Sequence, residues 1–135
     1  MADYKGKKIL ITGGMGFLGS NLAISLVEQG ADVTILDVML EDQGGNLFNI
    51  EPIKNRVTIN FADVRDKLVM RYIVRGMDYV FHLAGQVNHL ASIRDPFGDF
   101  DINVVGTLSA LEACRVSAPD TKFIFTGTRG QYGKA

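Results

Sequence analysis

The chain has 135 residues, of which 47% are hydrophobic and 21% charged, as expected for a single globular domain of ordinary composition. Its net charge of −1 offers no broad attraction to nucleic acid or anionic lipid, and no apolar run approaches the roughly 20 residues that span a bilayer. The lone cysteine, Cys114, has no partner for an internal disulfide, and the polar first residues do not resemble a secretory signal. We therefore expect a cytoplasmic protein with no nucleic-acid or membrane partner.

Short β-branched runs alternate along the chain with longer stretches of helical periodicity. The short runs predict five strands, at residues 9–12, 32–36, 56–61, 79–83 and 122–126. The longer stretches predict helices at residues 17–29, 67–74 and 100–116, with Pro96 in a first helical turn before the last of them. This alternation is typical of a doubly wound parallel α/β sheet with right-handed crossovers, for which we expect the strand order 3-2-1-4-5.

A glycine-rich segment joins the first predicted strand to the first predicted helix, with the sequence Thr12-Gly13-Gly14-Met15-Gly16-Phe17-Leu18-Gly19. Glycines spaced in this way between a strand and a helix are typical of Rossmann domains, which bind dinucleotides. They permit the tight turn, the approach of the backbone to a pyrophosphate and the packing of helix on strand. We therefore predict cofactor contacts from Gly13, Gly16, Phe17, Leu18 and Gly19. The alternative is a glycine-rich turn without a ligand.

Asp37 follows the second predicted strand, about twenty residues after the glycine loop, where a carboxylate can accept hydrogen bonds from both ribose hydroxyls of an adenosine. The same charge would repel the 2′-phosphate of NADP, and no arginine follows within Val38-Met39-Leu40 to hold that phosphate. We therefore predict NAD rather than NADP as the cofactor. The alternative is an aspartate that simply faces solvent at a strand end.

Two further segments are open to two interpretations. Asp63 and Val64 follow the third predicted strand, where Asp63 either reaches the adenine amino group or caps the next helix. Residues 40–54 read as a loop with a short helix, which lies either near the adenosine end of the cofactor or forms an ordinary surface connection.

Together these motifs resemble the N-terminal part of the extended short-chain dehydrogenase/reductases, the NAD-dependent epimerase/dehydratase group that acts on nucleotide sugars. The resemblance continues through later segments, and the run at residues 81–94 is most similar to epimerases of the CDP-paratose/tyvelose type. The later segments are His82-Leu83-Ala84-Gly85-Gln86, Ser92, Pro96, Asn103-Val104-Val105-Gly106-Thr107, Thr126-Gly127-Thr128 and Tyr132-Gly133.

The resemblance implies a role for each segment. Leu83, Ala84 and Gly85 would line the nicotinamide-ribose side of the crevice, and His82 would be a structural histidine. Asn103 would hold the backbone and cofactor geometry, unless it is only a polar position on a helix. Thr126 would contact the cofactor. Thr128 stands where the family has the Ser or Thr that polarises the sugar hydroxyl, although Gly127 replaces a frequent serine.

The family's catalytic Tyr-x-x-x-Lys pair would follow Thr128 and does not occur there, because Lys134 lies only two positions after Tyr132. Tyr4 and Lys8 have this spacing, but they lie on the wrong side of the first predicted strand. We therefore expect residues 1–135 to be a truncated NAD-binding Rossmann domain, inactive alone, whose nucleotide-sugar substrate is bound by the full-length form through an absent C-terminal domain. The alternative is a non-catalytic nucleotide-sensing or self-associating module. If the fifth strand lies at the sheet edge, we expect a homodimer through that strand. No metal site is predicted.

Overall fold

The computed structural model describes residues 3–40 and 44–133. Its strands, β1 to β5 in chain order, form one parallel sheet in the order β3-β2-β1-β4-β5, which confirms the predicted topology. β5 pairs only with β4 within the described residues and therefore lies at an edge of the sheet. The strands are β1 (Lys8–Thr12), β2 (Asp32–Asp37), β3 (Thr58–Phe61), β4 (Tyr79–His82) and β5 (Lys122–Phe125).

Helices cover both faces of the sheet, as parallel strands require. The α-helices are α1 (Phe17–Glu28), α2 (Lys67–Ile73), α3 (His89–Arg94), α4 (Pro96–Phe100) and α5 (Gly106–Ser117). A π-helical turn at Asp101–Val105 joins α4 to α5, and 3₁₀ helices occupy Leu47–Ile53 and Arg129–Tyr132. Among the described residues, none of these helices has the length and apolar character needed to cross a membrane.

Alternate side chains of the central strand β1 enter two separate cores, because successive residues of a strand face opposite sides of the sheet. Leu10 packs in the core beneath α2 and α5, whereas Ile9 and Ile11 pack in the core beneath α1 and the first 3₁₀ helix. Cys114 belongs to the α5 core, and burial raises the pKa of its thiol to about 11. The thiol is therefore a buried structural group.

The region after β4 differs most from the prediction. The apolar pattern predicts one helix over residues 100–116, but the structure divides this stretch among α4, the π-helical turn and α5. α3 was not predicted from the sequence. Its apolar residues Leu90 and Ile93 are largely exposed, so the helix has no buried apolar face of the kind that helical periodicity detects. α5 begins at Gly106, where an added Cβ would lie 2.8 Å from Val64 Cγ2, so this close packing requires a glycine.

Other element boundaries differ from the predictions by one or two residues. β3 begins at Thr58 rather than at residue 56, and β4 and β5 end one residue earlier than predicted. The short helix expected within residues 40–54 is the 3₁₀ helix Leu47–Ile53, while residues 41–43 lie outside the described residues, as does Lys134.

Candidate nucleotide-binding site

A cleft of about 650 Å³, including the solvent at its mouth, lies at the carboxyl ends of the strands. In a doubly wound sheet this is the crevice where the strand order reverses and ligands bind. The predicted residues that line it come from four separate segments of the chain. They are Gly13, Gly16, Asp37, Asp63, Val64, Leu83, Ala84 and Gly85.

Three glycines of the segment from the β1–α1 loop into the first turn of α1 have different local environments. Gly13 has a φ of +68°, and a Cβ there would lie 2.7 Å from Ala84 N, so the loop can approach the backbone after β4 only without a side chain. A Cβ at Gly19 would lie 2.7 Å from Gly14 Cα and would also clash with the Gly13 carbonyl. At Gly16 the nearest atom would be Gly13 O at an ordinary 3.4 Å. Gly16 therefore leaves open space in the cleft rather than relieving a clash within the protein.

The N-terminus of α1 begins beside this open space. Gly16 is the N-cap residue and provides no side chain to cap the helix, and the first turn contains no acidic residue. The first intrahelical bond runs from Ser20 N to Gly16 O, so the N–H groups of Phe17 and Leu18 have no acceptor within the helix. These two N–H groups and the helix dipole form a place where an anion is favoured.

Asp37 is a buried carboxylate, only 9% exposed, so the interpretation as a solvent-facing aspartate is wrong. Its Oδ2 accepts a hydrogen bond from Met15 N at 3.0 Å, and its Oδ1 accepts one from Met39 N at 2.9 Å. On the other side, the Met15 carbonyl accepts from Asn46 N at 3.1 Å and from Asn49 Nδ2 at 2.8 Å. The end of β2 on one side, and the 3₁₀ helix Leu47–Ile53 with the residue before it on the other, therefore hold the glycine loop between them.

Asp63 lines the cleft and forms an ion pair with Arg65, whose Nη2 donates to Asp63 Oδ2 at 2.5 Å. This side-chain hydrogen bond lowers the pKa of Asp63, so the carboxyl is ionised at neutral pH. The N-cap of α2 is Asp66, whose side chain accepts from Leu68 N and Val69 N. The alternative that Asp63 caps this helix is therefore wrong.

His82 is a buried ring, 1% exposed, with both nitrogens in hydrogen bonds. Its Nδ1 lies 2.8 Å from Thr12 Oγ1 and its Nε2 lies 3.1 Å from Thr107 Oγ1. Burial lowers the pKa of His82 to about 4, so the ring is neutral at physiological pH. A buried neutral ring that lies outside the cleft lining fits the structural role that the sequence implied for it.

Asn103 lies in the π-helical turn and binds the backbone of Gln86 in both directions. Its Oδ1 accepts from Gln86 N at 2.9 Å, and its Nδ2 donates to Gln86 O at 3.0 Å. It is therefore not merely a polar position on a helix, because it fixes the loop that follows β4. Ser92 belongs to the same network, where its hydroxyl accepts from Gln86 Nε2 at 3.1 Å.

Several predicted residues do not line the cleft with their side chains. Phe17 and Leu18 adjoin it through the start of α1, and Gly19 packs within the loop. Thr126 Oγ1 lies 3.5 Å from His82 O, the outer limit of a hydrogen bond. Thr128 is exposed, and its hydroxyl oxygen accepts from Gly130 N at 3.1 Å.

Six residues that line the cleft were missed from the sequence. Their side chains are mostly apolar, and such residues carry no chemical signature. Two of them flank Asp37, one precedes Asp63 and one precedes Asn103, so proximity to predicted residues was the one available signal. They are Leu36, Val38, Leu40, Gly45, Ala62 and Ile102. Within residues 3–40 and 44–133, no cluster of His, Cys, Asp or Glu has the composition of a metal site.

The low pKa of His82 links folding to pH. Between pH 6.5 and about 4 the unfolded chain binds a proton at this ring that the folded chain does not bind. The stability that the neutral ring contributes is therefore complete above pH 6.5 and is lost as the pH falls toward 4. From pH 8 to pH 5 we expect the contribution of His82 to the free energy of unfolding to fall by about 2 kcal/mol.

Comparison with His82→Gln isolates this effect, because every other titrating group is common to both proteins. We predict that the stability difference, wild type minus variant, falls by about 2 kcal/mol between pH 8 and pH 5 in urea denaturation experiments. A difference that stays constant over this range would show that His82 does not titrate differently in the folded and unfolded states.

Residues 9–135 match the model of the NAD dependent epimerase/dehydratase family. CDP-paratose 2-epimerase of Salmonella typhi is 42% identical over 130 residues, which cover 93% of this chain and 38% of the relative. The chain thus spans about two fifths of that relative's length.

Solved structures of nucleotide-sugar epimerases have the same fold. UDP-N-acetylglucosamine 4-epimerase of Methanobrevibacter ruminantium, in complex with UDP-N-acetylmuramic acid, superposes with a TM-score of 0.86 at 30% identity over 97% of this chain and 41% of that one. UDP-glucose 4-epimerase of Brucella ovis, in complex with NAD, gives a TM-score of 0.83 at 26% identity over 96% of this chain and 38% of that one. The family match and these relatives agree, and the chain belongs to the NAD dependent epimerase/dehydratase family.

Proposed function

We propose that these residues form the cofactor-binding portion of a nucleotide-sugar epimerase or dehydratase and hold NAD in the cleft. The observation that carries the proposal is the juxtaposition of an uncapped helix N-terminus at Gly16 with the buried carboxylate of Asp37 in one crevice. The first favours a pyrophosphate and the second favours ribose hydroxyls. A dinucleotide contains both groups.

The pyrophosphate binds at the start of α1. The open space at Gly16 lets a phosphate oxygen reach the N–H groups of Phe17 and Leu18. Gly13 and Gly19 contribute by shape, because only glycine allows the loop to lie this close to its neighbours. The absence of an acidic side chain in the first turn of α1 avoids repulsion with the phosphates.

The adenosine binds between Asp37 and Asp63. Asp37 already accepts two backbone hydrogen bonds, but each carboxylate oxygen has a second lone pair for a ribose hydroxyl. Asp63 is kept ionised by Arg65, so it can accept a hydrogen bond from the adenine amino group beside Val64. Gly45 and Leu40 line the same part of the crevice, which favours the adenosine-end interpretation of residues 40–54.

The other end of the cofactor lies along Leu83, Ala84 and Gly85, where Asn103 holds the loop and Thr126 adjoins the end of β5.

When bound, NAD supplies reversible hydride transfer at a sugar carbon. Thr128 accepts from Gly130 N, so its own proton is free to polarise a sugar hydroxyl. No Tyr-x-x-x-Lys follows Thr128 in these residues, and the one match, Tyr4 to Lys8, ends at the start of β1, away from the cleft. We expect residues 1–135, by themselves, to bind NAD but not to convert a nucleotide sugar.

Neutralising Asp37 tests the ribose contact. We predict that Asp37→Asn raises the Kd for NADH at least about tenfold, the effect of losing one charge-assisted hydrogen bond, in a calorimetric or fluorescence titration. Because the carboxylate also repels a 2′-phosphate, the preference for NADH over NADPH should narrow in the same variant. A purely structural defect would weaken the binding of both dinucleotides equally.

Asp32→Asn provides the matched control. Asp32 is an exposed aspartate at the opposite end of the same strand, so the same charge change there should leave both Kd values unaltered. The proposal fails if folded wild-type protein binds neither dinucleotide. The role of Asp37 fails if its variant keeps the wild-type preference.

Two glycine variants separate the ligand's space from the protein's own packing. Gly19→Ala should lower the free energy of unfolding by more than about 2 kcal/mol, because its methyl clashes with the Gly13–Gly14 backbone. Gly16→Ala should fold with nearly wild-type stability yet weaken NADH binding, because its methyl occupies the open space in the cleft. Equal stabilities for the two variants, or unaltered binding by Gly16→Ala, would contradict this division.

We also propose self-association through β5, an edge strand that carries Phe125 with 56% of its surface exposed. Unpaired strand edges with exposed apolar residues readily pair with another chain. We predict a dimer in sedimentation experiments that Phe125→Lys disrupts, whereas the same change at exposed Phe48 in the 3₁₀ helix has no effect. A wild-type monomer at every concentration tested would exclude this contact.

A further inference from the structure

A chain of hydrogen bonds passes through His82 at the end of β4. Thr12 and His82 face each other in the register between β1 and β4. Thr12 Oγ1 lies 2.8 Å from Nδ1 of the ring, and Thr107 Oγ1 of α5 lies 3.1 Å from Nε2. The ring therefore connects the strand before the glycine loop to the helix on the other side of β4.

The partners of the two threonines determine the direction of every bond. Thr107 donates its only proton to Asn103 O at 2.6 Å, so it accepts from His82 Nε2–H. Nδ1 of the neutral ring is then an acceptor, and the Thr12 hydroxyl donates to it. Thr12 Oγ1 in turn accepts from Ala84 N at 3.2 Å. Each hydroxyl is used once as a donor and once as an acceptor.

Both ends of this chain hold the same short segment of backbone. One end is the N–H of Ala84, bound by Thr12. The other end is Asn103, whose side chain binds both the N–H and the carbonyl of Gln86. Ala84 and Gly85 belong to this segment, Ala84–Gln86, and form one wall of the cleft. The opposite wall begins at Gly13, the residue after Thr12.

The aromatic neighbours of His82 restrict the ring further. Phe123 and Phe125 of β5 stack on it with centroid distances of 5.8 Å and 6.2 Å. Stacking and two hydrogen bonds hold the ring in one orientation. The ring in turn fixes the positions of the Thr12 and Thr107 hydroxyls. A Cβ at Gly13 would lie 2.7 Å from Ala84 N, so the two walls are in close contact here and small shifts of Ala84 alter the cleft.

We propose that His82 and Thr107 are positioning residues, which do not touch the cofactor but set the Ala84–Gln86 wall at the spacing from the glycine loop that NAD requires. The inference rests on the proposed function, because it concerns how tightly the same cleft holds its ligand. Unlike the residues that line the cleft, His82 and Thr107 would change the affinity without contacting the ligand.

Thr107→Val tests the proposal, because it keeps the shape of the side chain and removes the hydroxyl. We expect the Kd for NADH to rise about fivefold, as for the loss of one neutral hydrogen bond, at a temperature where circular dichroism shows the variant fully folded. Thr107→Ser retains the hydroxyl and should restore the Kd to within about twofold of wild type.

Ser109→Ala is the matched control on the same helix. Ser109 is also buried, but among the described residues its hydroxyl has no hydrogen-bond partner, so its removal should leave the Kd unchanged. If Thr107→Val does not fold, His82→Gln replaces it, because a glutamine amide can donate to Thr107 but does not place an acceptor at Nδ1. The same rise in Kd is expected.

The outcomes separate this inference from the proposed function. Wild-type protein that is folded and does not bind NADH overturns the proposed function. Wild-type binding with an unchanged Kd in a folded Thr107→Val or His82→Gln variant overturns the positioning role alone. An equal weakening in Ser109→Ala overturns it as well, because the effect would then reflect general loosening of α5. A rise in Thr107→Val that is absent from both Thr107→Ser and Ser109→Ala supports it.

Discussion

The close approach of two backbone segments determines the shape of the cleft. The β1–α1 loop at Gly13 lies against the segment that follows β4, with room for no side chain between them. Parallel strands bring their carboxyl ends to the same edge of the sheet, and the reversal of strand order beside β1 opens a crevice there. Gly13 and Gly19 allow the loop to pack closely, and Gly16 leaves the remaining space free.

Hydrogen-bonded polar groups hold this arrangement, and several of them are buried. Asp37 binds the N–H of Met15, and Asn46 and Asn49 bind the carbonyl of Met15. The centre of the glycine loop is therefore fixed from two sides. His82 connects the opposite wall to α5. Buried polar groups are costly unless every partner is present, and here the partners come from distant parts of the chain. These hydrogen bonds that hold the two walls of the site are all made within the protein.

The sequence allowed the strand order and the main polar residues of the cleft to be predicted, for physical reasons. Right-handed crossovers leave few topologies for alternating strands and helices, and the glycine loop and Asp37 belong to a local pattern with a known geometry. What remained hidden depends on tertiary packing. The side chains of Leu36, Ala62 and Ile102 line the cleft, but they are ordinary apolar residues whose position no local pattern reveals. The π-helical turn that aims Asn103 at Gln86 likewise interrupts a helical periodicity that otherwise looks continuous.

Mapping the amide resonances that shift when NAD is added to isotopically labelled protein tests the central claim most directly. The account predicts saturable shifts concentrated at Gly13–Gly19, at Asp37 and Val38, at Asp63 and Val64, and at Leu83–Gly85. Amides on the outer face of α2 and α5, which do not line the cleft, should remain unchanged. Shifts on that outer face instead, or no shifts at any NAD concentration tested, would contradict the assignment of this cleft as the cofactor site.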